Sequence, residues 1–179
     1  MPRYEFVRAE SKEHRAELID LNIEYVSWVL CEMEAYFGVS AVSILGMSAQ
    51  EYVPLVIDKL FGEHKNQGVF YLVIAENQLV GMGGLRFLRE GVAELKRFYV
   101  RPQCRGQKLC EIMLDRLLLD ARQLGYKHIY LDSAPFMKAA HRLYESRGFV
   151  DRAVYDGVEA PIAFHDRWRF MSFSLPKHR

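Results

Sequence analysis

Residues 94–110 read Glu-Leu-Lys-Arg-Phe-Tyr-Val-Arg-Pro-Gln-Cys-Arg-Gly-Gln-Lys-Leu-Cys. Glu94 to Val100 is a strand-like run, and Arg101-Pro102 turns the chain. A short basic loop bearing Gly106 follows from Gln103 to Lys108, and Leu109 opens a helical pattern. A loop that runs straight into a helix leaves backbone N–H groups unpaired at the helix start, where the helix dipole also favours an anion. The stretch is a candidate phosphate cradle. Taken alone, it reads equally as a basic turn ahead of a surface helix. It is not a Walker A loop, because the Gly-Lys-Ser/Thr ending is missing.

On the C-terminal side, Leu109 to Leu124 has an apolar helical face of Leu109, Ile112, Met113, Leu117, Leu118 and Ala121, with Gly125 as its stop. His128 to Leu131 reads as a buried strand. Phe136 to Arg147 reads as a helix closed by Gly148, and strands are expected near Phe149–Tyr155 and Trp168–Leu175. On the N-terminal side, Val69 to Ala75 is a strand rich in β-branched and aromatic residues. A turn at Glu76–Gln78 returns it as Leu79 to Leu88, and a turn at Glu90-Gly91 leads into Val92 to Val100. Gly81, Gly83 and Gly84 in the return strand mark a bulge or a close approach.

Further upstream, Tyr4 to Val7 alternates as a first strand, and Ser11 can cap a helix from Lys12 toward Cys31. Ala35–Gly46 reads as a loop. Ser48 and Glu51 form a capping-box pattern for a second helix, in which Pro54 is tolerated only in the first turn. The order is β-α-α-β-β-β-α-β-α-β-β, a mixed α/β fold in a single domain over residues 1–179 with no visible linker.

Composition narrows the function. With 24 basic and 23 acidic residues there is no basic field, which argues against a nucleic-acid partner. Half the residues are apolar, and 10 Tyr and 11 Phe argue against disorder. Cys31, Cys104 and Cys110 make no CxxC and no Cys/His cluster, so no metal site is expected and a reducing cytoplasm suits the chain. No apolar run is long enough for a bilayer, so no membrane partner is expected.

The element order, the strand–loop–helix at 94–124 and the segment Ala140-His-Arg-Leu-Tyr-Glu-Ser-Arg-Gly-Phe149 resemble the GCN5-related N-acetyltransferases. That family's pyrophosphate loop reads Q/R-x-x-G-x-G/A. Gln103 and Gly106 match it, and Lys108 stands in place of the last small residue. The resemblance implies acetyl-CoA as donor, a primary amine as acceptor, and direct attack in a ternary complex. By position, backbone groups of the run Phe98, Tyr99 and Val100 would follow the pantetheine arm. N–H groups of Arg105, Gly106, Gln107, Lys108 and Leu109 would hold the pyrophosphate. Tyr144 would protonate the leaving thiolate, and Glu94 lies where several members place a general base. Met137 replaces an Asn that touches the cofactor in many members.

The chemistry fits these roles. An alkylammonium has a pKa of about 10.4, so a carboxylate must remove its proton near neutrality. Alternation places Glu94, Lys96, Phe98 and Val100 on one face of their strand, so Glu94 is either that base or the partner of Lys96. Tyr144 is either a proton donor or a core aromatic. Cys104, among arginines at a helix start, is a loop filler or a reactive thiol. His141, on the Tyr144 helix, is either a residue facing the cofactor or, more commonly for such a position, a solvated helix residue. For the acceptor, Glu32, Glu34, Tyr36 and Phe37 form one candidate border and Gly157 to Arg167 a second. The acceptor is expected to be a small amine or amino-acid-like molecule; a peptide amine and a non-catalytic CoA-binding module are the alternatives. Trp168 and Phe170 suit a homodimer face or a buried sheet.

Overall fold

The computed structural model describes residues 3–10, 12–61 and 65–176. Seven strands form one sheet: β1 (Tyr4–Arg8), β2 (Val69–Ala75), β3 (Gln78–Arg89), β4 (Val92–Val100), β5 (His128–Ser133), β6 (Val150–Asp151) and β7 (Arg169–Ser174). Their spatial order is β1-β2-β3-β4-β5-β7-β6, and only the β4–β5 pair is parallel. Helices α1 (Arg15–Phe37), α2 (Ala41–Leu45) and α3 (Ala49–Val56) precede β2. Helix α4 (Leu109–Gln123) joins β4 to β5, and α5 (Lys138–Ser146) follows β5.

The sheet buries both faces, as a strand as apolar as β2 requires. On one side Leu114, Leu117, Leu118 and Ala121 of α4 and Tyr144 of α5 pack on Leu85, Leu95, Ile129 and Leu131. On the other, Leu18, Leu21 and Leu30 of α1 and Val53 of α3 pack on Phe70, Leu72, Met82 and Tyr99. Each such fully buried side chain contributes about 1.5–3 kcal/mol. In β3, a Cβ on Gly84 would stand 2.4 Å from the Val69 carbonyl oxygen and 2.9 Å from Phe70 Cα. Gly84 is therefore a point of close backbone approach.

Several expectations change. Helix α1 runs on to Phe37, and α2 occupies part of the stretch read as a loop; Gly38 and Gly46 end them. The Ser11 cap lies outside the described residues, and His14 stands at the helix N-cap without a side-chain cap bond. The Ser48–Glu51 capping box forms. Pro54, however, sits beyond the first turn, at the sixth position of α3. Its ring removes one helical donor, and the helix gives way two residues later to the 3₁₀ turn Ile57–Leu60. The strand expected over Phe149–Tyr155 shortens to Val150–Asp151, and Ile162–Arg167 forms a 3₁₀ turn. Trp168 and Phe170 pack inward with Val92, Tyr130 and Tyr155.

The largest correction lies in β4. Met82 pairs with Tyr99 and Gly84 with Lys96, so Arg97 and Phe98 together face the single Gly83. This is a β-bulge, and Arg97 takes a left-handed φ of 52°. The bulge breaks the alternation. Phe98 and Val100 join the α4 side with Met113 and Leu109. Lys96, Arg97 and Tyr99 remain on the other side, toward Glu159, Tyr25 and Glu24 respectively.

Candidate functional site

Strand β4 pairs with β5 over only three residue pairs, Val92–His128, Ala93–Ile129 and Glu94–Tyr130. Beyond Glu94 the two strands part, while β5 continues against β7 to Ser133. A slot opens between them, edged by the stretch of β4 beyond Glu94 that does not pair with β5. The basic loop stands at the far end of β4.

That loop is built from local rules. Arg101-Pro102 starts a 3₁₀ turn over Pro102–Cys104, and the Arg105 N–H donates to the Pro102 carbonyl at 3.2 Å. Arg105 therefore lacks the free N–H expected of it. Its side chain donates to the Val100 carbonyl at 2.9 Å and lies over Trp28 and Tyr99. Arg101 is likewise engaged, with Glu24 at 2.9 Å and the Leu79 carbonyl at 2.7 Å. Gly106 and Lys108 both take left-handed φ values, 76° and 62°. The first helical bond of α4 runs from the Ile112 N–H to the Lys108 carbonyl at 3.0 Å. Among the described residues, the N–H groups of Gly106, Gln107 and Lys108 thus have no backbone acceptor, and those of Leu109, Cys110 and Glu111 have none in the helix. A Cβ on Gly106 would meet no atom within 4 Å. Consecutive free donors beside open space fit a pyrophosphate. Gln103 lies in the 3₁₀ turn, and the Gln107 side chain accepts from Tyr4 Oη at 3.2 Å.

Beside the slot lies a cavity of about 180 Å³. Helix α1 gives it an apolar wall of Val26, Leu30 and Met33, and its other side carries Lys96, Arg97, Asp132 and Glu159. An outer cavity of about 240 Å³ adjoins it through Tyr52, Lys96, Arg97 and Glu159, and adds Lys59.

Glu94 is fully buried behind this polar side. Its Oε2 accepts from Arg86 at 2.5 and 3.1 Å, and its Oε1 accepts from Tyr155 Oη at 2.9 Å. Lys96 Nζ is 3.8 Å from Oε1. Glu94 does not line either cavity. Burial pushes the Tyr155 phenol far up, and the neighbouring Glu94 charge adds to it. Glu159 binds Arg86 at 2.7 Å and Lys96 at 3.1 Å. Burial alone would raise its pKa, but Lys96 and Arg86 outweigh that and bring it down to about 2. Asp132 Oδ2 accepts from Trp168 Nε1 at 2.9 Å, and its Oδ1 is 4.0 Å from Lys96. Asp132 is thus a cavity-lining carboxylate with one oxygen held only by a distant charge.

Tyr144 is buried against Phe98 and Phe149, with ring centroids 6.1 and 5.6 Å away. Burial drives its phenol pKa far up, and the nearby Tyr25, Cys110 and Asp132 add to the rise. Met137 is the N-cap of α5, lines the cavity, and takes a 3.5 Å contact from Ser133 Oγ. Tyr99 points away from the slot; its Oη donates to Glu24 at 3.0 Å, and burial with that bond lifts its pKa to about 12. His141 is buried rather than solvated, 3.0 Å from Ser133 Oγ, with its pKa lowered chiefly by burial.

Of the two expected acceptor borders, Gly157 to Arg167 supplies Glu159, Ala160 and Pro161 to the inner cavity. In the other, Met33 lines the cavity while Glu32 and Glu34 do not. Phe37 stacks on Phe164 at 4.8 Å with Arg167 over its face. Asp132 and Arg97 escaped the sequence reading. Asp132 ends an apolar strand without a motif, and the placement of Arg97 depends on a bulge.

Comparison with known proteins gives a consistent picture. The profile of the family described as "Acetyltransferase (GNAT) family" matches residues 30–149, more than half of the chain. The uncharacterised N-acetyltransferase YjgM of Escherichia coli is 33% identical over 97 residues, covering 52% of this chain and 58% of YjgM. The match thus spans less than two thirds of that relative. An acetyltransferase of the GNAT family from Staphylococcus aureus Mu50 shares the fold with a TM-score of 0.67 at 20% identity, over 97% of this chain and 100% of that one. YncA of Salmonella typhimurium, solved with its cofactor acetyl-CoA, superposes with a TM-score of 0.63 at 18% identity, over 100% of this chain and 96% of that one.

Proposed function

The chain belongs to the acetyltransferase (GNAT) family, and from that premise we propose that it is a cytoplasmic N-acetyltransferase that passes the acetyl group of acetyl-CoA to a primary amine of a small molecule. The observation that carries this reading is the run of free N–H groups from Gly106 into α4, set at the end of the slot where β4 and β5 part. When bound, acetyl-CoA supplies an activated acetyl thioester. The remaining tasks fall to the protein.

Gly106, Gln107, Lys108 and Leu109 would hold the pyrophosphate through their backbones, and the edge of β4 at Phe98 would receive the pantetheine arm; the Val100 carbonyl expected to share that task is already taken by Arg105. Met137 borders the cavity at the start of α5. The amine enters the inner cavity, whose size suits a small molecule better than a peptide. It arrives as an ammonium and must lose a proton before it attacks the acetyl carbon. Asp132 opens onto that cavity and accepts the proton. Glu94, with both oxygens engaged, holds Arg86 and Lys96 in place behind it and acts as a positioning residue. When the C–S bond breaks, Tyr144 would give a proton to the departing sulfur, and the second proton that the attacking nitrogen sheds on becoming an amide would restore the phenol. The same burial that keeps the phenol protonated also disfavours a bare thiolate beside it, so both pKa values rise together.

The test is release of CoA thiol over a panel of amines, read with thermal stabilisation by acetyl-CoA. Stabilisation and turnover are both expected. Tyr144→Phe should cut kcat by about 10²-fold, within the range of general acid catalysis, with acetyl-CoA affinity little changed. Wild-type kinetics in that variant would remove Tyr144 from the chemistry. Stabilisation without turnover on any amine would favour a CoA-binding module.

A further inference from the structure

The polar side of the two cavities is unevenly paired. Arg86 and Lys96 are matched by Glu94 and Glu159, which bind both of them. Arg97 is different. Among the described residues it has no ion pair, and its Nε is the one buried side-chain polar atom with no hydrogen-bond partner. Its guanidinium lies 5.6 Å from the centre of the Tyr25 ring. A buried guanidinium donor left unpaired is costly, so such a site calls for an acceptor. The bulge fixes Arg97 in place, with a left-handed backbone that aims it into the space shared by both cavities. The outer cavity adds Lys59 as a further cation beside the shared Lys96, and among the described residues Glu159 is its sole carboxylate.

The opposite pole is Asp132, in the inner cavity, with one oxygen weakly held. Tyr25 lines the same cavity, under the Arg97 guanidinium; burial chiefly raises its phenol pKa, Arg97 lowers it and Asp132 raises it. A cation and a carboxylate thus line one small space, on the side that faces the apolar wall of Val26, Leu30 and Met33.

We propose that the acceptor is an amino-carboxylic acid, whose ammonium faces Asp132 and whose carboxylate is received by Arg97. The proposal rests on the acetyl-transfer reading above and names its substrate class. The planar fork of an arginine matches a carboxylate through two parallel hydrogen bonds, which a lysine cannot supply. The hydrocarbon part of the acceptor lies along the α1 wall. An amine without the carboxylate leaves Arg97 unpaired and is bound less well.

The experiment compares matched acceptors that differ only at the carboxylate: leucine, leucinamide and 3-methylbutylamine, with parallel sets for other apolar amino acids. Thiol release gives kcat/KM, and calorimetry with CoA present gives binding independently of turnover. At least one amino acid should exceed its amide by tenfold or more, mostly through KM. In Arg97→Met that ratio should fall to about one, and Arg97→Lys should restore only part of it. Both variants are first checked for native melting, and the Lys variant serves if the Met variant fails to fold. Amides or simple amines that react as well as the acids would overturn the proposal while leaving acetyl transfer intact. A ratio unchanged in both variants would also overturn it. Carboxylate-dependent binding that is lost in Arg97→Met, without turnover, would support the carboxylate site and refute acetyl transfer.

Discussion

Lys108 shows how one side chain can be odd in sequence and intelligible in structure. The motif that the loop resembles has a small residue at its position, and here the backbone is left-handed with φ 62°. A side chain in that region costs roughly 1–2 kcal/mol against glycine. Lys108→Gly should therefore stabilise the protein by about 1 kcal/mol and raise Tm by about 3 °C, allowing for the glycine's greater freedom when unfolded. Thermal denaturation monitored by circular dichroism checks this; an unchanged or lowered Tm would mean the lysine makes compensating contacts. The N–H of residue 108 persists in the variant, so acetyl-CoA should still stabilise it. The departure at 108 was legible only against the motif of the family the loop resembles, and so was the expectation that a cradle of backbone donors tolerates it. The left-handed φ at 108 was not legible in the sequence.

Among the elements, α4 was legible from its 3.6 period, β2 from its unbroken run of β-branched and aromatic residues, and β3 and β4 from the turns that bound them. The faces of β4 were not legible past Lys96. An inserted residue leaves no mark in the pattern of Leu95-Lys-Arg-Phe-Tyr, yet it moves Phe98 and Val100 to the other side of the sheet. The long extent of α1 was hidden because Tyr36 and Phe37 look like loop aromatics until Phe37 meets Phe164. Glu94 was found as a special residue, but its engagement depends on Tyr155, 61 positions away, which no local pattern announces. The glycines of β3 announced close approach correctly. Gly84→Ala should destabilise by about 1–3 kcal/mol, because its Cβ would push on the Val69 carbonyl and the Phe70 backbone, neither of which can swing aside. Urea unfolding measures it; a midpoint matching the wild type would show that β2 and β3 can separate without cost.

At the scale of the whole molecule, the acid limb of stability should carry the signature of the buried charge network. Glu159 has its pKa brought down from 4.5 to about 2 when folded. The unfolded chain therefore binds the proton more readily, so the stability from this group is present above pH 4.5 and is lost as pH falls toward 2. Urea midpoints measured across that window should decline in the wild type and decline less steeply in Glu159→Gln; parallel curves would mean the group is not linked to folding. The same molecule is nearly divided at the middle of its sheet. Strands β1 to β4 form one hydrogen-bonded block and β5 to β7 another, with three residue pairs at the seam and α4 passing from one block to the other. Cooperative unfolding requires blocks to be coupled; at this seam the backbone supplies three residue pairs, and the core of Leu85, Leu95, Ile129 and Leu131 under α4 supplies the rest. A cofactor lying in the slot would complete what the strands leave open and act as a mortar joint between the two blocks. Part of its binding energy would then be energy of folding, and the mechanical unity of the enzyme would depend on its own substrate.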